Sequence, residues 1–363
     1  MRNNRKTLRR SIFTIALISL YSTLFSCAHS FAEPTSLDVI TTINGSISPK
    51  SVRSSNDGLV SAHNMMYNHS ITFYDAKTMA LVATTKDSVR LSDFGQSQYS
   101  GTYRGAPVEG SFSPDGRYLY VTNYAMYGKG FTREGTDICK PSDKYDRSYL
   151  YRIARDTKEI DAVIKVGIVP KVVEVTPDNK YVLVTNWCSY DLTIISTDDL
   201  KVVKTIAIGA YPRGIAISND SKFAYVAQMG GAVVHRIELD TFNRTTLPVG
   251  VNPRAIVLSP DNQTLYATLN SSGKVVAFDF AKNKVVHSVT TGKAARSLAI
   301  SPDGSSLYVV NFKSNTVSKI DTSTFKILKS KKICNEPIGI TYEALQNRVW
   351  VACYKGQIKV IAP

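Results

Sequence analysis

Five cations occupy one recurring place in this sequence, each directly after a proline or the residue standing in for it: Lys50, Lys171, Arg213, Arg254 and Arg296. The two other copies of that place hold Val108 and Ile338. A ring of like charge around a low-dielectric opening focuses potential and gathers anions. Against that stands neutralisation by neighbouring Asp or Glu. Aromatic residues gather nearby: Tyr124, Tyr127, Tyr145, Trp187 and Tyr190, with Tyr99 and Tyr103 in an earlier stretch. Flat π faces beside cations suit sugars, nucleobases or aromatic ligands, although aromatics in long loops also serve as the loop's own core. The stretch DICKPSDKYDR (Asp137 to Arg147) adds Asp146 and Arg147 to the same region.

Catalytic signals are thin. His63 and His69, six residues apart with no evident third ligand, are a weak zinc pattern. With Asp146 they are the candidate general bases of a lactonase or lyase in which the arginines stabilise an oxyanion. The sequence holds no Cys-x-x-Cys-His run, Gly-x-Ser-x-Gly elbow, Walker loop or His-Glu-x-x-His helix, and no cofactor is expected. A cationic rim also opposes a divalent metal in the channel.

The elements that position these residues come from an internal repeat. YPRGIAISNDSKFAYVAQ (Tyr211 to Gln228), NPRAIVLSPDNQTLYATL (Asn252 to Leu269) and AARSLAISPDGSSLYVVN (Ala294 to Asn311) are copies of one unit. Aligned at the Ser of the Ser-Pro-Asp turn, seven copies fall at 55, 113, 176, 218, 259, 301 and 343, spaced 58, 63, 42, 41, 42 and 42. The period is about 42 residues, and the first two intervals carry about 16 and 21 extra. Apolar residues alternate at period two between turn residues, which gives four short antiparallel strands per unit. In the fourth unit strand A is Gly214 to Ser218, B is Phe223 to Gln228, C is Val233 to Leu239 and D is Arg244 to Val249. Four strands repeated seven times at this period predict an all-β, seven-bladed β-propeller. The last unit lacks a strand D, and LDVITTING (Leu37 to Gly45) mimics one, so an N-terminal strand is expected to close the last blade.

The B strands LYVTN (Leu119 to Asn123), VLVTN (Val182 to Asn186) and LYVVN (Leu307 to Asn311), with the Ser-Pro-Asp-Gly turns, resemble the bacterial YVTN-type propeller repeat. The resemblance covers nearly the whole chain after the leader, although the first unit departs from it with LVSAHN (Leu59 to Asn64). It implies a fold more than an activity, because such propellers include binding proteins, surface proteins and enzymes.

On this scaffold the insertions, about 86–104 and 124–147, fall in a D-to-A and a B-to-C connection, on one face of neighbouring blades, where binding sites are often built. Cys139 lies in the second insertion and Cys188 in the equivalent connection of the next blade. Cys334 precedes the last strand A, and Cys353 ends the strand B beside it. The expected disulfides are Cys139 to Cys188 and Cys334 to Cys353.

Residues 1–32 read as a signal peptide. Arg2, Arg5, Lys6, Arg9 and Arg10 precede an apolar run of about 14 residues, and cleavage is expected after Ala32. Acylation of Cys27 is the alternative. Loss of five leader cations from 44 Lys and Arg leaves 39 against 29 Asp and Glu, a net +10. The expected product is a periplasmic or secreted single-domain propeller over 33–363, monomeric and non-catalytic, or a membrane-anchored lipoprotein. Its expected partner is an anionic or aromatic-bearing ligand: a glycan, an acidic protein or single-stranded nucleic acid, with nucleic acid bound salt-sensitively.

Overall fold

The recurrent Ser-Pro-Asp turns are held by one device. In the fourth blade Ser218 Oγ donates to Asp220 (2.6 Å) and accepts the Phe223 N–H (3.0 Å). Ser113 does the same with Asp115 and Tyr118, Thr176 with Asp178 and Tyr181, and Ser301 with Asp303 and Ser306. In the seventh blade the Glu343 carboxylate accepts the Leu345 and Gln346 N–H groups instead. A side-chain oxygen that satisfies turn amides makes the reversal from strand A to strand B a local property of the sequence.

The structure is a computed structural model that describes residues 36–363. The expected leader, its cleavage after Ala32 and acylation at Cys27 lie outside these residues. Seven four-stranded antiparallel sheets follow one another, each ordered A-B-C-D from the inside outward. The inner A strands are Pro49–Ser54, Arg104–Phe112, Pro170–Val175, Pro212–Ile217, Pro253–Leu258, Ala295–Ile300 and Pro337–Glu343. The molecule is a seven-bladed β-propeller. Blade 4 places its strands at Pro212–Ile217, Phe223–Gln228, Val233–Glu238 and Arg244–Pro248, within two residues of expectation. LVSAHN is strand B of blade 1 despite its departure from the repeat.

Closure is made by Val39–Ile43, which pairs antiparallel with Gln357–Ile361 as the outer strand of blade 7, with Thr42 opposite Lys359. Just before it, fully buried Leu37 joins Val349, Val351 and Ile361 in the core at blade 7.

The repeated Asn that ends strand B is a structural residue. Asn186 Oδ1 accepts the Gly167 N–H (3.0 Å), while its Nδ2 donates to Asp191 and Thr193 (2.6 and 2.9 Å). Asn64 and Asn311 bridge the same elements in their own blades. Each is buried, and its amide satisfies polar groups that burial would leave unpaired.

The second insertion is partly strand. Strand B of blade 2 runs on to Tyr127, paired opposite Arg104, so the loop proper starts at Gly128. Tyr99 and Tyr103 pack against each other, edge to face at 5.6 Å. With Phe131 and Tyr149 they form a small core, Tyr99 stacking on Phe131 at 4.9 Å, and both tyrosines lie in a cluster with Val89, Leu91 and Met126. Both disulfides form as paired in the sequence, Cys139 to Cys188 and Cys334 to Cys353, with Cα atoms 5.4 and 6.2 Å apart. Two such bridges fit an oxidising, extracytoplasmic environment. No helix among the described residues is long and apolar enough to cross a membrane.

Candidate functional site

Two backbone devices set the start of strand A, where the cations stand. Two residues before Lys171, Arg213, Arg254, Arg296 and Ile338 the chain turns left-handed: Val169, Tyr211, Asn252, Ala294 and Glu336 have φ between 54° and 61°. For a β-branched residue such as Val169 this is a strained conformation, kept only when the surroundings impose it. One hydroxyl of the preceding blade then fixes the next carbonyl. Thr122 Oγ1 donates to Lys171 O (2.8 Å), Thr185 Oγ1 to Arg213 O (2.9 Å) and Thr268 Oγ1 to Arg296 O (3.1 Å). The Thr of the B-strand repeat thus positions the cation of the neighbouring blade.

The cations converge and are withdrawn from solvent: Lys171, Arg213 and Arg254 are only 4%, 6% and 8% exposed. Two carboxylates face them. Glu109 lies 3.7 Å from Arg213, and Asp137, on the second insertion, lies 3.4 Å from Lys171. Glu336 acts on Arg296 from its own pair with Lys355 (3.4 Å). Arg254 forms no ion pair among the described residues; its Nη1 lies 3.6 Å from Met229 Sδ. Burial, then repulsion from Arg213, Arg254 and Arg296, brings the Lys50 ammonium down to about 7. Burial, then Arg213, brings Arg296 down to about 10, and burial and the same neighbours move Lys171 and Arg254 well below their ordinary values. The guanidinium is basic enough that the arginines stay charged at neutral pH. Burial raises the Glu109 carboxyl even though Arg213 opposes it. Burial therefore outweighs pairing on both sides of that contact.

Aromatic and thioether groups back the cations from one more recurring position, the residue after the repeat's strand-B Asn or the Gln or Cys in its place. Lys171 Nζ stands 4.2 Å from the Tyr124 ring centroid and 5.3 Å from that of Trp187. The Arg296 guanidinium lies 3.6 Å over Phe312, and Lys50 lies 5.2 Å from Tyr354. Such faces stabilise a cation without neutralising it. Phe312, Tyr354, Glu109 and Asp137 were missed in the sequence. Phe312 and Tyr354 are legible in the repeat as the residue after Asn311 and after Cys353, the place that holds Tyr124 and Trp187 in blades 2 and 3.

Other predicted residues do not reach this cluster. His63 is fully buried, hydrogen-bonded between Nδ1 and Ser51 Oγ (2.7 Å), and burial and Arg53 bring its pKa down to about 3. Its ring packs against Gly110, where a Cβ would fall 2.2 Å from Nε2. His69 Nδ1 is 2.6 Å from Gly105 O, with its ring edge-on to Tyr127. Asp146 accepts the Thr132 and Arg133 N–H groups (2.7 Å each) and so shapes the insertion. Arg147 donates to Val166 O (2.7 Å), Tyr127 to Glu134 (2.8 Å), and Tyr190 to Cys139 O (2.6 Å). Tyr145 lies 5.9 Å from the Arg133 guanidinium, within the insertion. Trp187, besides facing Lys171, donates to Asp137 O (3.2 Å) and stacks on Tyr211 at 4.5 Å.

Below the cations lies the channel, a cavity of about 750 Å³ lined by Arg213, Arg254, Arg296 and Glu109 at one end. On its wall Arg53 of blade 1 makes a bidentate pair with Glu174 of blade 3 (2.7 Å for Nη1 to Oε1), and Ser111 of blade 2 donates to the same carboxylate (3.1 Å).

Comparison with known proteins agrees with the architecture. Residues 235–337 match the family described as lactonase, 7-bladed beta-propeller, a stretch that includes Arg254 and Arg296. Antigen Lp49 of Leptospira interrogans serogroup Icterohaemorrhagiae serovar copenhageni (strain Fiocruz L1-130) is 29% identical over 129 residues, which are 33% of this chain and 28% of that protein. A solved structure of Kuenenia stuttgartiensis hydrazine synthase superposes with a TM-score of 0.69 at 18% identity, covering 88% of this chain and 97% of that one. This chain is thus similar in part to a seven-bladed propeller family and, over most of its length, in fold to that solved structure.

Proposed function

We propose that this chain is an exported YVTN-type propeller that binds an anionic ligand, including one that carries an aromatic group, at the cation cluster of its central channel. The observation that carries the reading is Arg254, a buried guanidinium with no ion pair among the described residues. Glu109 and Asp137 stabilise this charge only from a distance, and an arriving anion relieves the rest of the cost of burying it. Lys50, Lys171, Arg213 and Arg296 add to the attraction, and Tyr124 and Trp187 hold Lys171 in place.

A second reading is a lactonase. It is supported by the partial match to that family and by Glu109, a carboxyl of raised pKa beside Arg213, which is placed to take up a proton. One set of titrations addresses both readings. Arg254→Met should weaken inorganic sulfate binding, read by calorimetry, about tenfold or more, since charge-assisted contacts contribute ~1.5–3 kcal/mol. Glu109→Gln should strengthen it. Sulfate affinity unchanged by Arg254→Met would sink the binding site. Lactone turnover in the wild type that Glu109→Gln abolishes would establish the enzyme.

A further inference from the structure

The channel cavity runs the length of the A strands. The arginines line one end, and residues of the A-to-B turns, Asn219, Pro260 and Pro302 among them, line the other. Strand A connects these ends in six residues, about 20 Å of extended chain. Between them the wall carries aliphatic side chains, Val257, Leu258 and Ile300 among them, only half-buried where they line the cavity. Arg53 and Glu174, the charged pair on that wall, already satisfy each other.

The insertion face treats the same cations differently. Lys50 and Lys171 lean on Tyr354, Tyr124 and Trp187 there. Asp137 reaches across to Lys171, and the chain around it is tied down by the Cys139–Cys188 bridge and the bond from Trp187 Nε1. That face meets the cluster with rings and a carboxylate, whereas the channel meets it with open volume.

We infer that the ligand enters from the face of the A-to-B turns and is a small organic anion, one acidic group on an apolar body. The acidic group lies against Arg213, Arg254 and Arg296, and the body lies along Val257 and Ile300. A volume of about 750 Å³ is that of a small-molecule pocket, and its lining sets aliphatic side chains beside a few convergent charges. The inference rests on the anion-binding reading above and narrows its ligand class from polymer or protein to a small molecule.

The test compares inorganic sulfate with naphthalene-1-sulfonate on the full chain by calorimetry. The aryl sulfonate should bind about tenfold tighter or better, because its rings leave water for the channel wall. Val257→Trp fills the space for the rings and should erase that advantage, lowering aryl sulfonate affinity at least tenfold more than sulfate affinity. Ile300→Asn, which makes the wall polar without filling it, should reduce the advantage, and thermal melting reports whether each variant folds. Equal affinity of the two anions in the wild type, or aryl sulfonate binding untouched by both substitutions, overturns the inference and leaves the cation site standing. Failure of both anions to bind removes the site and the inference together.

Discussion

Lys50 sets the pH response of the cation cluster. Its pKa of about 7 means that the ammonium is charged below that pH and neutral above it. Anion affinity should fall as pH rises through 7, and Lys50→Met should remove that fall while leaving the weaker, high-pH affinity; calorimetry at pH 6 and 8 reads both. The sign for stability is opposite. In the unfolded chain the amine keeps its proton up to its ordinary value of 10.5, so between about 7 and 10.5 the unfolded state holds more protons. Burial of Lys50 therefore penalises folding fully below pH 7, and the penalty fades as pH climbs towards 10.5. Lys50→Met should raise the melting temperature at pH 6 and lose that gain by pH 10. The cation positions were legible in the sequence because the repeat fixes their register. Glu109 was not: in its blade the place after Pro holds Val108, and the charge sits one residue later, outside the aligned column.

At the scale of elements, turns and strands were the most legible parts. Ser, Pro and Asp encode their turn locally, through hydroxyl and carboxylate bonds spanning two to five residues. The insertions were located but not resolved, because contacts between loops follow no period. Tyr99 and Tyr103 turned inward, and strand B of blade 2 ran further than its siblings. The disulfides act on different elements. Cys139–Cys188 ties the insertion to blade 3, whereas Cys334–Cys353 joins a connection of blade 7 to the end of its own strand B. Cys139→Ser with Cys188→Ser should speed amide exchange at residues 132–147 with little change elsewhere. Cys334→Ser with Cys353→Ser should lower global stability by about 3 kcal/mol, because blade 7 carries the closure of the ring. Equal and global effects of the two pairs would contradict this division.

For the whole molecule, the repeat count and the missing outer strand together dictated the ring and its closure. What they left open was the interior, since a blade's own sequence does not say how A strands from seven blades share a channel. The Arg53–Glu174 pair, with its partners on blades 1 and 3, has meaning only once the ring is formed. Removal of residues 36–43 should expose the edge at Gln357–Ile361 and empty the place of Leu37 in the core. The expected result is a lower, broader calorimetric transition and a tendency to associate, with recovery when a peptide of residues 36–45 is supplied. A sharp wild-type transition in the truncated chain would show that closure contributes nothing.

The pairing of Val39 with Ile361 also governs time. The two halves of the clasp are far apart in the sequence, so a ribosome delivers one long before the other. Until the second arrives, six blades can form while the seventh waits, and the ring cannot shut. Such distant pairing is slow to find. It leaves an interval in which the chain stays open to be moved, oxidised at its cysteines or captured by a chaperone before it locks.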